Sequence, residues 1–140
     1  MLGGMKKIKP GVMLVIDRGS YDLLMNIDPC SIFTYYGVEE MHGLNLTDCR
    51  KHPNTKEGSY ICGWVNHIPH EGEYHVSDRM FCFINLNRCN SELDLICNLY
   101  HELMHVAVNK YDENLEFEEQ MITWAEQETR ELYELTKKLI

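Results

Sequence analysis

Two histidines and a glutamate between positions 101 and 105 have the types and spacing best suited to catalytic chemistry. Histidines four residues apart lie on one face of a helix, so His101 and His105 can bind a single Zn²⁺ ion. Glu102 lies beside them and can deprotonate a water molecule activated by that ion. This spacing predicts a zinc site in which Glu102 is the catalytic base.

The helix that must carry these residues has a recognisable start and an apolar face. Ser91 can cap its first turn, with Asp94 as the reciprocal acceptor of a capping box, and we expect it to end near Asn109. Apolar residues recur at helical spacing and form one stripe, made by Leu93, Ile96, Leu99, Tyr100, Leu103 and Ala107. Because His101 and His105 lie nearly opposite this stripe, the helix can pack on the core and present both to a cleft.

A catalytic zinc site needs a third protein ligand and an open position for water. A second helix, predicted over residues 114–139, offers glutamates at positions 116, 118, 119, 126 and 128. Its apolar face is formed by Phe117, Met121, Trp124, Ala125, Leu132, Leu135 and Leu139. Glu118 falls within this face, and a short helical hairpin would bring it opposite His105. We therefore predict Glu118 as the third ligand and Glu119 as the next candidate. The alternative is that these glutamates only complement the dipole at a helix start.

Three segments resemble those of a known family. Phe83–Asn85 and Leu99–His105 look like the strand and the HExxH helix of the ImmA/IrrE-type minimal gluzincin metallopeptidases. The segment 118–125, EEQMITWA, is similar to the family's E-x-E-A-N-x-F-A segment, whose first glutamate binds zinc. The resemblance implies a zincin-like fold, peptide-bond hydrolysis and Glu118 as the zinc ligand. Met104 stands where the family usually has glycine, and small phage-type or SprT-like zincins are the alternatives.

The N-terminal part of the chain predicts short strands joined by turn-rich segments. We expect a helix over residues 20–27 and strands over residues 11–17, 31–36, 59–68 and 79–86. The last two strands are predicted to pair as an antiparallel hairpin with a long loop. The predicted fold class is α+β, a single zincin-like domain over residues 1–140 with a small, largely antiparallel sheet packed on the C-terminal helix pair that carries the site.

One strand has an implied role beyond the core. In zincins, the strand just before the metal-binding helix often forms the rim of the cleft and pairs with extended substrate. The resemblance implies this role for residues 79–86, and strand pairing is a common way to bind a peptide. The alternative is a central strand with both edges occupied.

The composition is that of a globular protein with an acidic surface. The 140 residues are 44% hydrophobic and 25% charged, with a formal net charge of -9. This charge repels phosphate groups and anionic lipids, so we expect no direct nucleic-acid or membrane partner. The start of the sequence has no leader pattern, and the six cysteines form no C-x-x-C pair. We therefore expect free thiols and a cytoplasmic location.

Three function classes follow from these patterns. The first is zinc-dependent hydrolysis of a peptide bond in a protein or peptide substrate. The second is a non-catalytic zinc-binding regulatory protein, and the third is a structural domain with an accidental motif. The donor that would stabilise the oxyanion stays open among His67, His70, Tyr74, His75 and Tyr111. The same histidines, with Glu71, Glu73 and Asp78, are also a conceivable second metal site.

Overall fold

The structure is a computed structural model with five described stretches of chain. They are residues 12–42, 44–46, 63–69, 76–111 and 118–139. The strands are β1 (Leu14–Asp17), β2 (Tyr21–Asn26), β3 (Glu40–Met41), β4 (Leu44–Asn45), β5 (Gly63–Pro69) and β6 (Val76–Asn85). The helices are α1 (Ser31–Tyr36), α2 (Glu92–Lys110) and α3 (Glu118–Leu139).

The main sheet is small and mixed, with the strand order β1-β2-β6-β5. The outer pairs, β1 with β2 and β5 with β6, are antiparallel, whereas β2 and β6 are parallel. The predicted α+β class is confirmed, and so is the antiparallel pairing of the two strands before the HExxH helix. The expectation that residues 79–86 form a cleft rim is wrong, because β6 is central and both its edges are occupied. Within the described stretches, β5 pairs with β6 alone and forms the edge of the sheet.

Both faces of this sheet are covered. Met80, Cys82 and Ile84 of β6 belong to a core cluster shared with α2 and α3. Phe81 and Phe83, which alternate with them, belong to a second cluster that includes α1 and the β3–β4 hairpin. The C-terminal helix pair therefore packs on one face of the sheet, as predicted. The packing of α1 and the β3–β4 hairpin on the opposite face was not predicted.

The prediction of a helix over residues 20–27 is wrong, because this segment contains strand β2. Tyr21, Leu23, Leu24 and Met25 are all almost completely buried. A strand covered on both faces is continuously apolar and loses the alternation of polar and apolar residues that marks a half-exposed strand. Its sequence then resembles a buried helix.

The prediction of a strand over residues 31–36 is also wrong, because this segment is helix α1. The Ser31 hydroxyl donates to the Asp28 carbonyl oxygen at 2.5 Å, and Gly37 ends the helix with a left-handed φ of 67°. Its aromatic and β-branched residues favour a strand locally. Burial of Ile32 and Phe33 against the second core cluster outweighs that local preference.

Helix α2 begins as predicted and ends one residue beyond the predicted position. The Ser91 hydroxyl accepts from the Asp94 amide at 3.1 Å, and the Asp94 carboxylate accepts from the Asn90 amide at 2.9 Å. The predicted apolar stripe is right at Leu99 but wrong at Leu93, which is 67% exposed. The buried residues of the helix are Leu95, Leu99, Glu102, Leu103, Val106 and Ala107.

One described cysteine differs from the prediction. Cys82 and Cys97 are free thiols, but Cys30 is disulfide-bonded. None of the described helices has the length and apolar character needed to cross a membrane.

Candidate active site

The two predicted histidine ligands lie together on the exposed face of α2. The ring centroids of His101 and His105 are 5.1 Å apart, with the rings at 75° to each other. The His101 side chain is 71% exposed. One helical turn places the rings side by side, as the i, i+4 spacing predicts. Both imidazoles are therefore accessible to a metal ion from solvent.

The predicted base, Glu102, has the opposite environment. Its side chain is only 9% exposed, although both neighbouring histidines are exposed. One carboxylate oxygen, Oε1, lies 3.9 Å from Nε2 of His101, and no described residue donates a hydrogen bond to the carboxylate. The backbone of β5 passes close to this side chain at Gly63. Glu102 is therefore a buried carboxylate without a hydrogen-bond donor.

Burial changes the proton affinity of this carboxylate. The loss of solvent around Glu102 raises its pKa above the ordinary value, and the charges of His101 and His105 only partly oppose this effect. Cys82 lies beneath it in the sheet, and its pKa is raised by complete burial and by the nearby Glu102 charge. A carboxyl group with a raised pKa is suited to accept a proton and to return it near neutral pH.

Two cavities meet at the histidine pair. The strand-side cavity, of about 500 Å³, is lined by Gly63, Trp64, Val65, Met80, His101, Glu102, His105, Val108 and Asn109. The helix-side cavity, of about 700 Å³, lies between α2 and α3 and is lined by Ile96, Cys97, Tyr100, His101, Met104, His105, Val108, Glu126, Thr129 and Arg130. Glu102 lines only the strand-side cavity, which is therefore where proton transfer can occur.

The structure does not bring the predicted third ligand, Glu118, to the histidine pair. Within the described part of the chain, no group of three or more His, Cys, Asp or Glu residues is arranged to hold a metal ion. Glu118 and Glu119 are exposed at the start of α3. The predicted burial of Glu118 is wrong, because the buried face of α3 begins only at Met121. The histidine pair fits two corners of a tetrahedral zinc site, and the third corner is not assembled.

Two other glutamates of α3 have partners that the sequence did not reveal. Glu126 lines the helix-side cavity together with both histidines. Glu128 accepts hydrogen bonds from Arg18 at 2.7 and 3.1 Å and from the Tyr21 hydroxyl at 2.5 Å. These partners are more than 100 positions away in the sequence, so residue spacing within the helix does not reveal them.

Two of the residues considered for oxyanion stabilisation, His67 and Tyr111, lie in the described part of the chain. His70, Tyr74 and His75 are outside the described residues, as are Glu71 and Glu73 of the conceivable second metal site. Tyr111 lines a separate cavity beside the start of α3, together with Glu119. His67 lies in β5, where its carbonyl oxygen contacts the His42 ring at 2.8 Å.

Compared with known proteins, the chain matches no family model, no curated protein and no solved structure. The resemblance to minimal gluzincins therefore rests on the residues quoted above. The arguments for function depend on the chemistry and geometry of the site.

Proposed function

We propose that this chain is a zinc-dependent metallopeptidase with a zincin-like fold, similar to the minimal gluzincins. Among the described residues, the groups that would act are His101 and His105 as ligands and Glu102 as the general base and acid. Glu118 is the proposed third ligand. The proposed substrate is a protein or a peptide.

One observation supports this proposal most strongly. Two exposed imidazoles flank a largely buried carboxylate to which no described residue donates a hydrogen bond, and all three line the same cavity. Burying a carboxylate without a partner costs free energy, so most structural carboxylates are paired and unpaired ones are concentrated at functional sites. An accidental HExxH match would not be expected to leave Glu102 buried and unpaired beside two accessible histidines.

Each residue then has a defined task. A bound Zn²⁺ ion supplies Lewis acidity, which allows water to act as a nucleophile at neutral pH. His101 and His105 contribute two neutral nitrogens for its binding. Glu102 accepts a proton from the attacking water at a carboxylate oxygen and delivers it to the leaving nitrogen. Its side chain is largely buried and lines the strand-side cavity.

The peptide would run along the edge of β5 that faces away from β6 and pairs with no other described strand. This strand lines the strand-side cavity through Gly63, Trp64 and Val65, so a peptide paired with it passes the histidines and Glu102. Pairing with the substrate, which the resemblance implied for β6, is therefore proposed for β5. The net charge of -9 disfavours nucleic acid as a substrate. The cytoplasmic location remains a proposal, and the Cys30 disulfide weighs against a reducing compartment.

A second candidate function is zinc binding without catalysis. The observation that favours it is that no described residue joins the histidine pair as a third ligand. In that case the protein would bind zinc but would not hydrolyse peptides, and Glu102→Gln would alter no function.

Metal content tests both candidates. Wild-type protein and the variants His101→Ala, Glu118→Ala, Glu119→Ala and Glu126→Ala are purified with limiting zinc and analysed for bound metal. We expect one zinc per wild-type chain and loss of zinc in the His101 and Glu118 variants. Glu126→Ala is the matched control, because Glu126 lines the helix-side cavity but is not a proposed ligand.

The pattern of loss identifies the third ligand. If Glu118→Ala binds zinc as wild type does and Glu119→Ala does not, the ligand is Glu119. If Glu126→Ala alone loses zinc, the metal lies in the helix-side cavity. A wild-type protein with no zinc would rule out both functions. Zinc without turnover against a quenched fluorescent peptide library would leave the non-catalytic function.

A further inference from the structure

The strand-side cavity contains a glycine that the metal-site motif does not include. Gly63 begins β5, and its partner in the sheet is Ile84 of β6. Paired residues on neighbouring strands point to the same face, and Ile84 belongs to the core cluster beneath α2 and α3. A side chain at position 63 would therefore point towards α2.

The space in that direction is taken by Glu102. A Cβ atom placed on Gly63 would lie 2.6 Å from Cγ, 2.7 Å from Cδ and 2.8 Å from Oε1 of Glu102. These separations are shorter than non-bonded carbon and oxygen atoms tolerate. Any residue other than glycine at position 63 would have to displace the carboxylate.

Backbone conformation does not explain the glycine. The described glycines with positive φ are Gly19 and Gly37, and Gly63 lies in regular strand pairing. Glycine within a strand weakens it and often marks the close approach of another group. Here the group that approaches is the side chain of the proposed base.

We propose that Gly63 is a positioning residue that holds the Glu102 carboxylate in the strand-side cavity by leaving the volume of a side chain vacant. The β5 backbone at this position forms the wall against which the carboxylate rests. The contact begins at Cγ, so an added methyl group would have to shift the Glu102 side chain from that atom outward, and the carboxylate with it. Its relevance to peptide hydrolysis rests on the proposed function, but the contact itself does not.

A double-mutant cycle measures this contact without any assay of activity. Wild type, Gly63→Ala, Glu102→Ala and the double variant are unfolded with urea in the presence of EDTA. We expect Gly63→Ala alone to raise the unfolding equilibrium constant by about tenfold, a coupling within the range for residues in contact. In the Glu102→Ala background the same change should have no effect or should lower the constant, because alanine restricts the unfolded chain more than glycine does.

A second cycle provides the matched control. Gly63→Ala is combined with Glu126→Ala, which removes a carboxylate that lines the other cavity. We expect the effects of these two changes on the free energy of unfolding to be additive. If the Gly63 and Glu102 changes are also additive, the proposed contact does not exist. If Gly63→Ala does not fold, the double variant with Glu102→Ala decides, because its failure to fold as well would overturn the proposal.

Zinc binding and turnover separate this inference from the proposed function. Gly63→Ala should bind zinc as wild type does, since the histidines remain, but should lose kcat as Glu102→Gln does, with little change in KM. In the Glu102→Ala background, which has no atom beyond Cβ to displace, Gly63→Ala should cause no further loss of kcat. A wild-type protein without zinc or turnover would refute the proposed function, and the urea cycle would still decide the role of Gly63.

Discussion

Two glutamates in the helix pair, Glu102 and Glu128, are both largely buried, with 9% and 14% of their side chains exposed. Glu128 accepts hydrogen bonds from Arg18 and Tyr21 and joins α3 to the start of the sheet. Glu102 receives no hydrogen bond from a described residue. The two carboxylates are therefore similarly buried, but only Glu128 accepts hydrogen bonds from described residues.

The pKa values of the two groups differ in the same way. Burial raises the pKa of Glu102, and the nearby histidines only partly oppose it. Burial would also raise the pKa of Glu128, but the hydrogen bonds and charge of Arg18 and the Tyr21 hydrogen bond outweigh it and lower that pKa. Burial therefore decides the direction of the pKa shift at Glu102, whereas hydrogen-bonding partners decide it at Glu128.

The largest expected effect is on turnover. Glu102→Gln keeps the size of the side chain but removes its ability to accept a proton, so we expect kcat to fall by about 100-fold to 10,000-fold. Initial rates on a quenched fluorescent peptide would measure this loss. Glu128→Gln serves as the comparison and should retain turnover in the fraction of protein that is folded. Equal losses in both variants would contradict the distinction between the two carboxylates.

The next effect is on stability and concerns Glu128. Glu128→Ala removes two bonds from Arg18 and leaves the buried Tyr21 hydroxyl without its acceptor. We expect the free energy of unfolding to fall by about 2 to 3 kcal/mol, as when a buried charge pair is broken. Urea denaturation measures it.

Glu131→Ala is the matched control for that change. Glu131 also pairs with Arg18, but its side chain is 62% exposed. Exposed ion pairs contribute little, so we expect a loss of no more than about 0.5 kcal/mol. A loss as large as that of Glu128→Ala would show that exposure does not distinguish the two ion pairs.

The contrast between the two glutamates also shows what the sequence can reveal. The HExxH spacing and the Ser91 cap are local features, so α2 and the exposed histidine pair follow directly from residue order. The partners of Glu128 and the neighbour of Glu102 come from the β1–β2 turn, β2 and β5. Only the tertiary fold brings these strands to the helices. Gly63 within a predicted strand was the one local signal of a close approach.

The N-terminal errors have a related physical cause. β2 lies in a sheet that is covered on both faces, so it lacks the alternation of polar and apolar residues expected of a strand. α1 packs against the same sheet, and its burial outweighs the local preference of its residues for a strand. The placement of Glu118 was wrong for a different reason. A helical wheel assigns a face but does not show where along a helix the packing against its partner begins, and on α3 it begins at Met121.

Stability should also depend on pH through Glu128. Its pKa is lower in the folded protein than in the unfolded chain, so the folded state is stabilised at pH values above the ordinary glutamate pKa of 4.5. This contribution is lost as the pH falls through the folded pKa, by about 1.4 kcal/mol for each pH unit between the two values. The difference in unfolding free energy between wild type and Glu128→Gln should therefore shrink as urea titrations move from pH 7 towards pH 3. A constant difference would indicate that the Arg18 and Tyr21 contacts do not depend on the charge of Glu128.

The smallest expected effect is the stability change on neutralising Glu102. Glutamine has the same shape, and the carboxylate has no described donor to lose, so in EDTA at neutral pH the free energy of unfolding should stay the same or rise by about 1 kcal/mol. A loss of more than about 1 kcal/mol would mean that Glu102 has a structural partner, as Glu128 does. EDTA is essential, because bound zinc would stabilise the folded state of either form by mass action and obscure the comparison. A residue whose neutralisation abolishes turnover but does not reduce stability serves the reaction rather than the fold.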